Sequence, residues 1–230
     1  MHVSLEWGPV GARALAECND VVVVIDVLSF TTSLTIAVEG GATVWPHTGG
    51  ENAHKLARDI GAVLAGNRSS HDGFTLSPAS MVGVDSTTRL VLPSPNGSSI
   101  AFAAVNGAVP VVAGCLRNAR AVSRYLDAFD RVALVPAGER WGDGSLRPAY
   151  EDWVGAGAIA DRLASRDPGT TLSPESEAAA LAFRSLRPLG SCPSGVELTE
   201  RGFAEDVRLA SQIDVSDVVP VLVEGRFLAA

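Results

Sequence analysis

The feature that most constrains the fold is a run of five β-branched apolar residues, Val21–Ile25, followed immediately by one carboxylate, Asp26. Such a run predicts a strand that is buried on both faces of a sheet. The hydroxyl residues Thr31, Thr32 and Ser33 come next and open an apolar helical pattern. A buried strand that brings one acid to the start of a helix is a common way for α/β proteins to build sites for anions and metals.

Strand-like and helix-like runs alternate along the chain, which predicts an α/β fold with a mixed or mostly parallel sheet. The predicted strands are 20–27, 42–46, 62–65, 88–92, 109–113, 131–136 and 218–223. The predicted helices are 31–40, 50–60, 97–106, 118–127, 150–164, 175–186 and 203–210. A length of 230 residues suits a single domain, 1–230, and the stretch 138–150 is the candidate for a subdomain boundary.

Two stretches without a strong period, 66–88 and 138–148, are predicted to be long loops, which are often functional in compact domains. The stretches 166–174 and 187–195, which contain Pro, Gly and Ser, are predicted to be connectors between helices.

A shift of 66 positions aligns one strand–turn–helix pattern with a second one along the chain. The aligned pairs are Ser33 with Ser99, Ala37 with Ala103, Gly41 with Gly107 and Ala42 with Ala108. Two related βαβ halves would explain this similarity, and so would the pattern that all βαβ units share.

Charge and composition exclude several classes of protein. The net charge is −8 and there is no basic tract, which argues against nucleic-acid binding. The chain has no run of 18 apolar residues and its first residues do not resemble a signal peptide, so we expect no membrane span and a cytoplasmic location. The three cysteines are too few and too far apart to indicate a disulfide scaffold or a zinc site.

Asp26 is the first candidate site residue. A carboxylate at the end of an apolar strand stays ionised only with a partner, which can be a metal, an arginine or backbone N–H groups. The alternative is a structural aspartate that binds the following loop. Thr31 and Thr32 have two interpretations as well, because hydroxyls at a helix start either cap the helix or help to hold an anion.

Three further segments carry polar residues at the predicted start of a helix. Asn96, Gly97 and Ser98 follow a strand, where they are either a turn with caps or part of a second anion-binding helix start. If two such helix starts meet at one crevice, an anion site is favoured. Asn118 is a natural N-cap, and Arg117 beside it is either a positive charge for an anion or a surface residue.

Glu151 and Asp152 form the last of these segments. Acids in the first turn of a helix are favoured by the helix dipole, so a purely structural role is one interpretation. The other is that they are oxygen ligands for Mg²⁺ or a general base.

In this order, the segments resemble the 2-phosphosulfolactate phosphatase (ComB-like) family over roughly residues 20 to 225. The resemblance lies in 26–32, 96–98, 114–118, 137–138, 151–157 and 202–220. It implies a three-layer α/β/α fold and Mg²⁺-dependent hydrolysis of 2-phospho-3-sulfolactate to 3-sulfolactate and phosphate, on the route to coenzyme M. The implied partner is therefore a small anionic phosphate ester, and we also expect a homodimer.

The resemblance also assigns roles to residues. Asp26, Glu151 and Asp152 are expected to be the catalytic and Mg²⁺-binding groups, with Asp26 either a metal ligand or a nucleophile. The residues expected to bind the substrate are Thr31, Thr32, Arg68, Asn96, Gly97, Ser98, Arg117 and Asn118.

Three charged positions of the family pattern are neutral in this chain. Ser29 stands where the family has arginine, Asn67 where it has glutamate and Thr75 where it has aspartate. A missing arginine costs an anion site about 1.5–3 kcal/mol per charge-assisted hydrogen bond. We therefore expect a divergent member, and an alternative hypothesis is a protein that binds a small acidic ligand without hydrolysing it.

Overall fold

A computed structural model describes residues 1–68, 70, 73–105 and 109–230. The strands are β1 (His2–Leu5), β2 (Val21–Ile25), β3 (Thr43–His47), β4 (Val63–Leu64), β5 (Arg89–Pro93), β6 (Val111–Gly114), β7 (Arg131–Pro136), β8 (Glu139–Arg140), β9 (Leu146–Arg147), β10 (Thr171–Leu172), β11 (Pro220–Val223) and β12 (Arg226–Ala229). The α-helices are α1 (Gly8–Ala16), α2 (Phe30–Glu39), α3 (Glu51–Ile60), α4 (Gly97–Val105), α5 (Ala119–Tyr125), α6 (Tyr150–Arg166), α7 (Pro174–Arg184), α8 (Pro193–Glu200) and α9 (Ala204–Ala210).

Ten of these strands form one mixed sheet in the order β10-β1-β7-β2-β6-β11-β12-β3-β5-β4. The strands from β10 to β6 pair in parallel, and so do β3, β5 and β4. The hairpin β11–β12 is antiparallel to both neighbours and joins these two parallel blocks. With helices packed on both faces of the sheet, the predicted three-layer α/β/α fold is confirmed.

Strand β2 lies inside the sheet and all five of its residues are buried. Val21, Val23 and Ile25 contribute to a core that α6 covers on one face. Val22 and Val24 contribute to a second core that α2 and α4 cover on the other. The prediction of a strand buried on both faces is therefore correct, and its physical reason is that each face of β2 packs against a different helical layer.

The hairpin β11–β12 separates a block of five parallel strands from a block of three. Helix α2 connects β2 in the first block to β3 in the second, whereas α4 connects β5 in the second block to β6 in the first. The internal sequence similarity therefore falls on two crossovers that run in opposite directions between the blocks. Two related halves remain a prediction, and its positions Gly107 and Ala108 lie outside the described residues.

The chain contains elements that the sequence patterns did not predict. Strand β1, helix α1 and strand β12 lie near the termini, and α8 begins in the predicted connector 187–195 and continues through residues for which no element was predicted. The stretch 138–148 is a hairpin of the two-residue strands β8 and β9, not an open loop. Such short strands show almost no alternation, and the Pro and Gly of α8 resemble a connector although Pro is favoured in a first helical turn.

In the described part of the long loop at 66–88, residues Pro78–Met81 form a 3₁₀ turn. Residues 69, 71 and 72 of this loop and residue 106 of the predicted helix 97–106 lie outside the described residues. Among the helices described, none is both long enough and apolar enough to cross a lipid bilayer. A single domain with a boundary near 138–150 stays a prediction.

We predict that Phe227 is essential for joining the two blocks of the sheet. Its ring is fully buried on β12 and packs edge-on against Phe30, with 6.3 Å between the ring centroids. Phe227→Ala is expected to lower the free energy of unfolding by about 3–5 kcal/mol, because it leaves a cavity beneath the hairpin. Urea denaturation measures the change. Val223→Ala on the exposed side of β11 is the control, with a change of about 0.5 kcal/mol or less, and a similar small change for Phe227→Ala would contradict the prediction.

Candidate active site

A cleft of about 380 Å³ opens beyond the carboxyl ends of three strands. Asp26 follows β2, Ser94 follows β5 and Glu139 follows β7. The cleft is completed by the loop after β4, the hairpin β8–β9 and helix α8. The residues that line it are Asp26, Leu28, Ser29, Arg68, Leu76, Ser94, Pro95, Asn96, Glu139, Arg140, Arg147, Ser194, Glu197, Leu198 and Arg201. Open α/β sheets bind their ligands at this edge.

The carboxylate of Asp26 lies between the starts of two helices. Its Oδ1 accepts a hydrogen bond from the backbone N–H of Phe30, the first residue of α2, at 3.2 Å. Its Oδ2 accepts one from the N–H of Gly97, the first residue of α4, at 2.9 Å, and one from Ser94 Oγ at 3.4 Å. Helix N-termini carry partial positive charge, so the two helix starts do converge on an anion, and that anion is Asp26.

Gly97 makes this arrangement sterically feasible. A Cβ atom at this position would lie 2.3 Å from Phe30 Cδ1 and 2.9 Å from Asp26 Oδ2. No side chain can occupy that space unless Phe30 or the Asp26 carboxylate moves. The glycine is therefore required here by the close approach of α4 to the end of β2.

Burial and like charge act together on the carboxylates at the cleft. Burial raises the pKa of Asp26 above its ordinary value, and the hydrogen bonds from Phe30 and Gly97 offset part of that rise. Glu139 accepts a hydrogen bond from Asn96 Nδ2 at 3.2 Å. Burial raises the pKa of Glu139 to about 7, and the negative charges of Asp26 and Glu151 contribute to the shift. The floor of the cleft therefore carries negative charge that the protein does not fully compensate.

Asp152 lies behind the cleft and binds the backbone of two strand ends. Its Oδ1 accepts the N–H of Val27 at 2.7 Å, and its Oδ2 accepts the N–H of Gly138 at 2.8 Å. Burial, followed by the charges of Asp26 and Glu151, raises the pKa of Asp152 well above its ordinary value. In this position Asp152 fixes the backbone that presents Asp26 and Glu139.

Glu151 is also buried behind the cleft, where its Oε2 accepts a hydrogen bond from Cys192 Sγ at 3.3 Å. Burial raises the pKa of Cys192 to about 12, so the thiol stays protonated and can donate. Neither Glu151 nor Asp152 lines the cleft. Their catalytic and metal-binding roles stay predictions.

The hydroxyl residues at the helix starts are used within the fold. Thr31 Oγ1 donates to the carbonyl of Asp26 at 2.8 Å, and Thr32 Oγ1 donates to that of Val27 at 2.8 Å. Both threonines and Ser98 are fully buried, and none of the three lines the cleft. The two threonines hold the strand–helix connection after β2, whereas the hydroxyl of Ser98 has no hydrogen-bond partner among the described residues. Contact of any of the three with a substrate remains a prediction.

Arg68 is brought into the cleft and held there from several sides. Its Nη1 donates to the buried carboxylate of Asp206 on α9, and its Nη2 donates to Ser29 Oγ at 2.8 Å. Its guanidinium carbon lies 5.4 Å from the ring centroid of Phe203. Asp206 also accepts the hydroxyl of Ser77 at 2.5 Å. The neutral side chain of Ser29 therefore helps to hold the guanidinium of Arg68 in the cleft.

The structure does not bring Arg117 and Asn118 to this cleft. Arg117 lies at the far end of α2, where its Nη2 is 3.8 Å from Glu39 Oε2. The ten residues of α2 span about 15 Å, which separates Arg117 from Asp26 at the other end. Asn118 is fully buried and binds the backbone N–H of Cys115 at 2.9 Å and the carbonyl of Val218 at 3.0 Å. Both residues organise the end of β6.

Several cleft residues were not predicted from the sequence. They are Glu139, Arg140, Arg147, Ser194, Glu197 and Arg201. A signal existed for the first three, because the charged, Gly-rich stretch 138–148 was expected to be functional. The others lie on or directly after α8, a helix that the sequence patterns did not predict.

We tested whether the residues present suit a divalent metal ion. Across the described residues, no three His, Cys, Asp or Glu side chains are placed together to hold one. Mg²⁺ often needs only one or two carboxylates, because water and substrate phosphate complete its shell. An ionised carboxylate has about four acceptor positions, and three donors reach Asp26. One position on Oδ1 is left, so Asp26 fits a single-carboxylate Mg²⁺ site.

A family model and several relatives of this chain carry the same description. The family model described as 2-phosphosulpholactate phosphatase matches residues 11–225. A protein of Carboxydothermus hydrogenoformans named probable 2-phosphosulfolactate phosphatase is 35% identical over 219 residues, which is 90% of this chain and 89% of the relative. Proteins of the same name from Deinococcus radiodurans and Pseudothermotoga lettingae are 33% and 31% identical. Those matches cover 91% and 90% of this chain and 94% and 92% of the relatives.

We predict that Gly97→Ala disrupts the floor of the cleft. The new methyl group must displace Phe30 or the Asp26 carboxylate, and overpacking of this kind costs about 1–3 kcal/mol of folding stability. Thermal denaturation of the variant measures the loss. Gly142→Ala in the hairpin turn is the control, because a Cβ at that position meets no atom within 4 Å. Equal melting temperatures for the two variants would contradict the prediction.

We predict that Glu139 makes the stability depend on pH. The folded-state pKa of about 7 exceeds the unfolded value of 4.5, so the folded protein binds more protons between these values. The contribution of Glu139 to the free energy of unfolding is therefore largest below pH 4.5 and falls as the pH rises to about 7. Glu139→Gln removes that fall. Each pKa unit corresponds to about 1.4 kcal/mol, and partial exposure reduces the total to about 1–2 kcal/mol.

The measurement is urea denaturation of the metal-free protein at pH 5 and pH 8. The stability of Glu139→Gln relative to the unaltered protein is expected to increase between the two pH values. Glu200→Gln, at the exposed end of α8, is the control for the removal of a surface carboxylate. A relative stability of Glu139→Gln that does not change with pH, or that decreases, would disprove the assignment.

Proposed function

The chain belongs to the 2-phosphosulpholactate phosphatase family, and from this premise we propose that it hydrolyses the phosphate monoester 2-phosphosulfolactate to 3-sulfolactate and phosphate with Mg²⁺. The observation that carries the proposal is the placement of Asp26 at the floor of a cleft that four arginines line. The route to coenzyme M, the cytoplasmic location and a homodimer are part of the same proposal.

The charges of the cleft suit a ligand with several acidic groups. Arg68, Arg140, Arg147 and Arg201 line it, together with the carboxylates of Asp26, Glu139 and Glu197. Charge-assisted hydrogen bonds from guanidinium groups are among the strongest that bind phosphate and similar oxyanions. An ester that carries phosphate, sulfonate and carboxylate groups would use these arginines more fully than a simple phosphate ester.

Asp26 is the residue that would hold Mg²⁺. Its carboxylate is fixed by the backbone N–H groups of Phe30 and Gly97, so it offers its remaining acceptor position in a defined direction. When bound, Mg²⁺ would neutralise charge on the phosphate and lower the pKa of a bound water. A cation beside Asp26 would also relieve the repulsion between Asp26 and Glu139, whereas burial, the main cause of the raised pKa of Glu139, would persist.

Glu139 is suited to proton transfer. A group with a pKa of about 7 is protonated in about half of the molecules at neutral pH, and such groups are the most effective general acids and bases there. The Asn96 side chain donates to Glu139 Oε2 and orients the carboxyl group. Glu139 would donate its proton to the oxygen atom that leaves with the sulfolactate.

Arg68 would hold the phosphate at the Asp26 end of the cleft. Its guanidinium is fixed by Asp206 and Ser29, so little conformational entropy is lost when an anion binds. The family arginine at position 29 is absent, and Ser29 instead accepts a hydrogen bond from Arg68. The family pattern has an arginine at both positions, 29 and 68. In this chain only the guanidinium of Arg68 is present, and Ser29 helps to fix it.

We predict that Asp26→Asn lowers kcat by at least 100-fold, because the amide removes the negative charge and the acceptor that face the cleft. Phosphate release from 2-phosphosulfolactate with Mg²⁺ measures the effect, and chelation with EDTA is expected to abolish turnover by the unaltered protein. Asp59→Asn on the exposed face of α3 is the matched control and should retain full activity. Full Mg²⁺-dependent turnover by Asp26→Asn would overturn the proposal.

The neutral residue Ser29 in the cleft favours a second candidate function, in which the same cleft binds an acidic ligand without hydrolysis. A panel of phosphate esters with Mg²⁺ and Mn²⁺ separates the two functions. Tight binding of 2-phosphosulfolactate without phosphate release from any ester would establish the second and reject the first.

A further inference from the structure

We propose that Arg147 is the specificity-determining residue of the cleft and binds the second strongly acidic group of the substrate, the sulfonate. This inference rests on the proposed function, in which one end of the same molecule is a phosphate ester. The four arginines of the cleft differ in their partners.

Two of the four arginines already have carboxylate partners. Arg68 forms an ion pair with Asp206, and Arg201 forms one with Glu197 at 3.0 Å. Over the described residues, Arg140 and Arg147 form no ion pair. The unpaired positive charges of the cleft therefore lie on the hairpin β8–β9.

The hairpin directs these two arginines differently. Glu139 and Arg147 are direct partners across the hairpin, as are Arg140 and Leu146. Direct partners project from the same face of a hairpin, whereas consecutive residues project from opposite faces. Arg147 therefore shares a face with Glu139, and Arg140 lies on the other. The Arg140 guanidinium donates to the carbonyl of Gly144 at 3.0 Å within the turn.

Arg147 is positioned by weak contacts that leave it able to bind an anion. Its Nη2 donates to Ser194 Oγ on α8 at 3.4 Å, and its guanidinium carbon lies 5.7 Å from the ring centroid of Trp141. Both Arg147 and Ser194 line the cleft. One sulfonate oxygen would take the place of the Ser194 hydroxyl as acceptor from Nη2, and a second would accept from another N–H of the guanidinium, which gives a bidentate, charge-assisted pair of hydrogen bonds.

The base of the hairpin is fixed relative to Asp26. Gly138 immediately precedes β8, and its N–H donates to the same Asp152 carboxylate that binds Val27 beside Asp26. Gly138 has a φ of +66°, and a Cβ there would lie 2.8 Å from the Arg147 carbonyl oxygen. Asp152 therefore sets the position of Arg147 relative to Asp26, and a substrate that spans the two groups would be selected by its length and charge.

The test compares two substrates that share a secondary phosphate ester. One is 2-phosphosulfolactate, and the other is 2-phospholactate, which keeps the phosphate and the carboxylate but has no sulfonate. Arg147→Met is expected to raise KM for 2-phosphosulfolactate by about 10- to 100-fold with less than a twofold change in kcat. The kcat/KM for 2-phospholactate should stay within twofold. Arg147→Lys keeps the charge but not the fork of donors, and we expect it to restore part of the lost affinity.

Arg124→Met on α5, outside the cleft, is the matched control and should leave both substrates unaffected. An equal loss of kcat/KM on both substrates would overturn the proposal, because it would place Arg147 at the phosphate or in the fold. An unchanged KM for 2-phosphosulfolactate would overturn it as well.

A binding measurement separates this inference from the proposed function. If the unaltered protein hydrolyses neither ester, the proposed function fails. Calorimetry with 2-hydroxyethanesulfonate, which has a sulfonate but neither phosphate nor carboxylate, then tests the role of Arg147. Binding to the unaltered protein that is at least tenfold weaker in Arg147→Met supports the sulfonate site. Equal binding to both proteins, or binding to neither, would reject it.

Discussion

The contact between the Asp26 carboxylate and the first turns of α2 and α4 is the interaction on which the rest of the site depends. The two helices start from strands in different blocks of the sheet, so this contact fixes where the blocks meet and forms the floor of the cleft. Charge-assisted hydrogen bonds to backbone N–H groups stabilise a buried carboxylate that would otherwise be costly to ionise. Gly97 is part of the same constraint, because any larger residue would separate α4 from Asp26.

The charges around this floor are arranged in layers. Asp152 and Glu151 lie behind it, where they bind backbone N–H groups and a thiol. Asp26, Glu139 and Glu197 line the cleft together with four arginines. Because the carboxylates repel one another, a cation at the floor and an anionic ligand at the arginines would stabilise the folded protein together. An acidic protein thus has a local cluster of arginines that suits an acidic ligand.

Much of the fold was predictable because its signals are local. Apolar runs such as Val21–Ile25 and periodic helices such as α6 are determined by neighbours along the chain. The site was predictable in part. Asp26, Arg68 and Asn96 line the cleft, whereas Arg117, singled out by the same reasoning, lies at the far end of α2. Glu139 and the other residues of the hairpin were missed individually, since two-residue strands carry almost no periodic signal.

By itself, the sequence determined the α/β class, the family resemblance and the acid at the end of β2, because burial periodicity and motif order are properties of the linear chain. Only the tertiary structure decided how those motifs are used. Strands β2 and β5 are not neighbours in the sheet, so no local pattern could show that Gly97 meets Asp26. The N–H groups that could have bound a substrate anion are occupied by Asp26 instead. Which polar groups remain for a ligand depends on these long-range partners, and a linear sequence does not specify them.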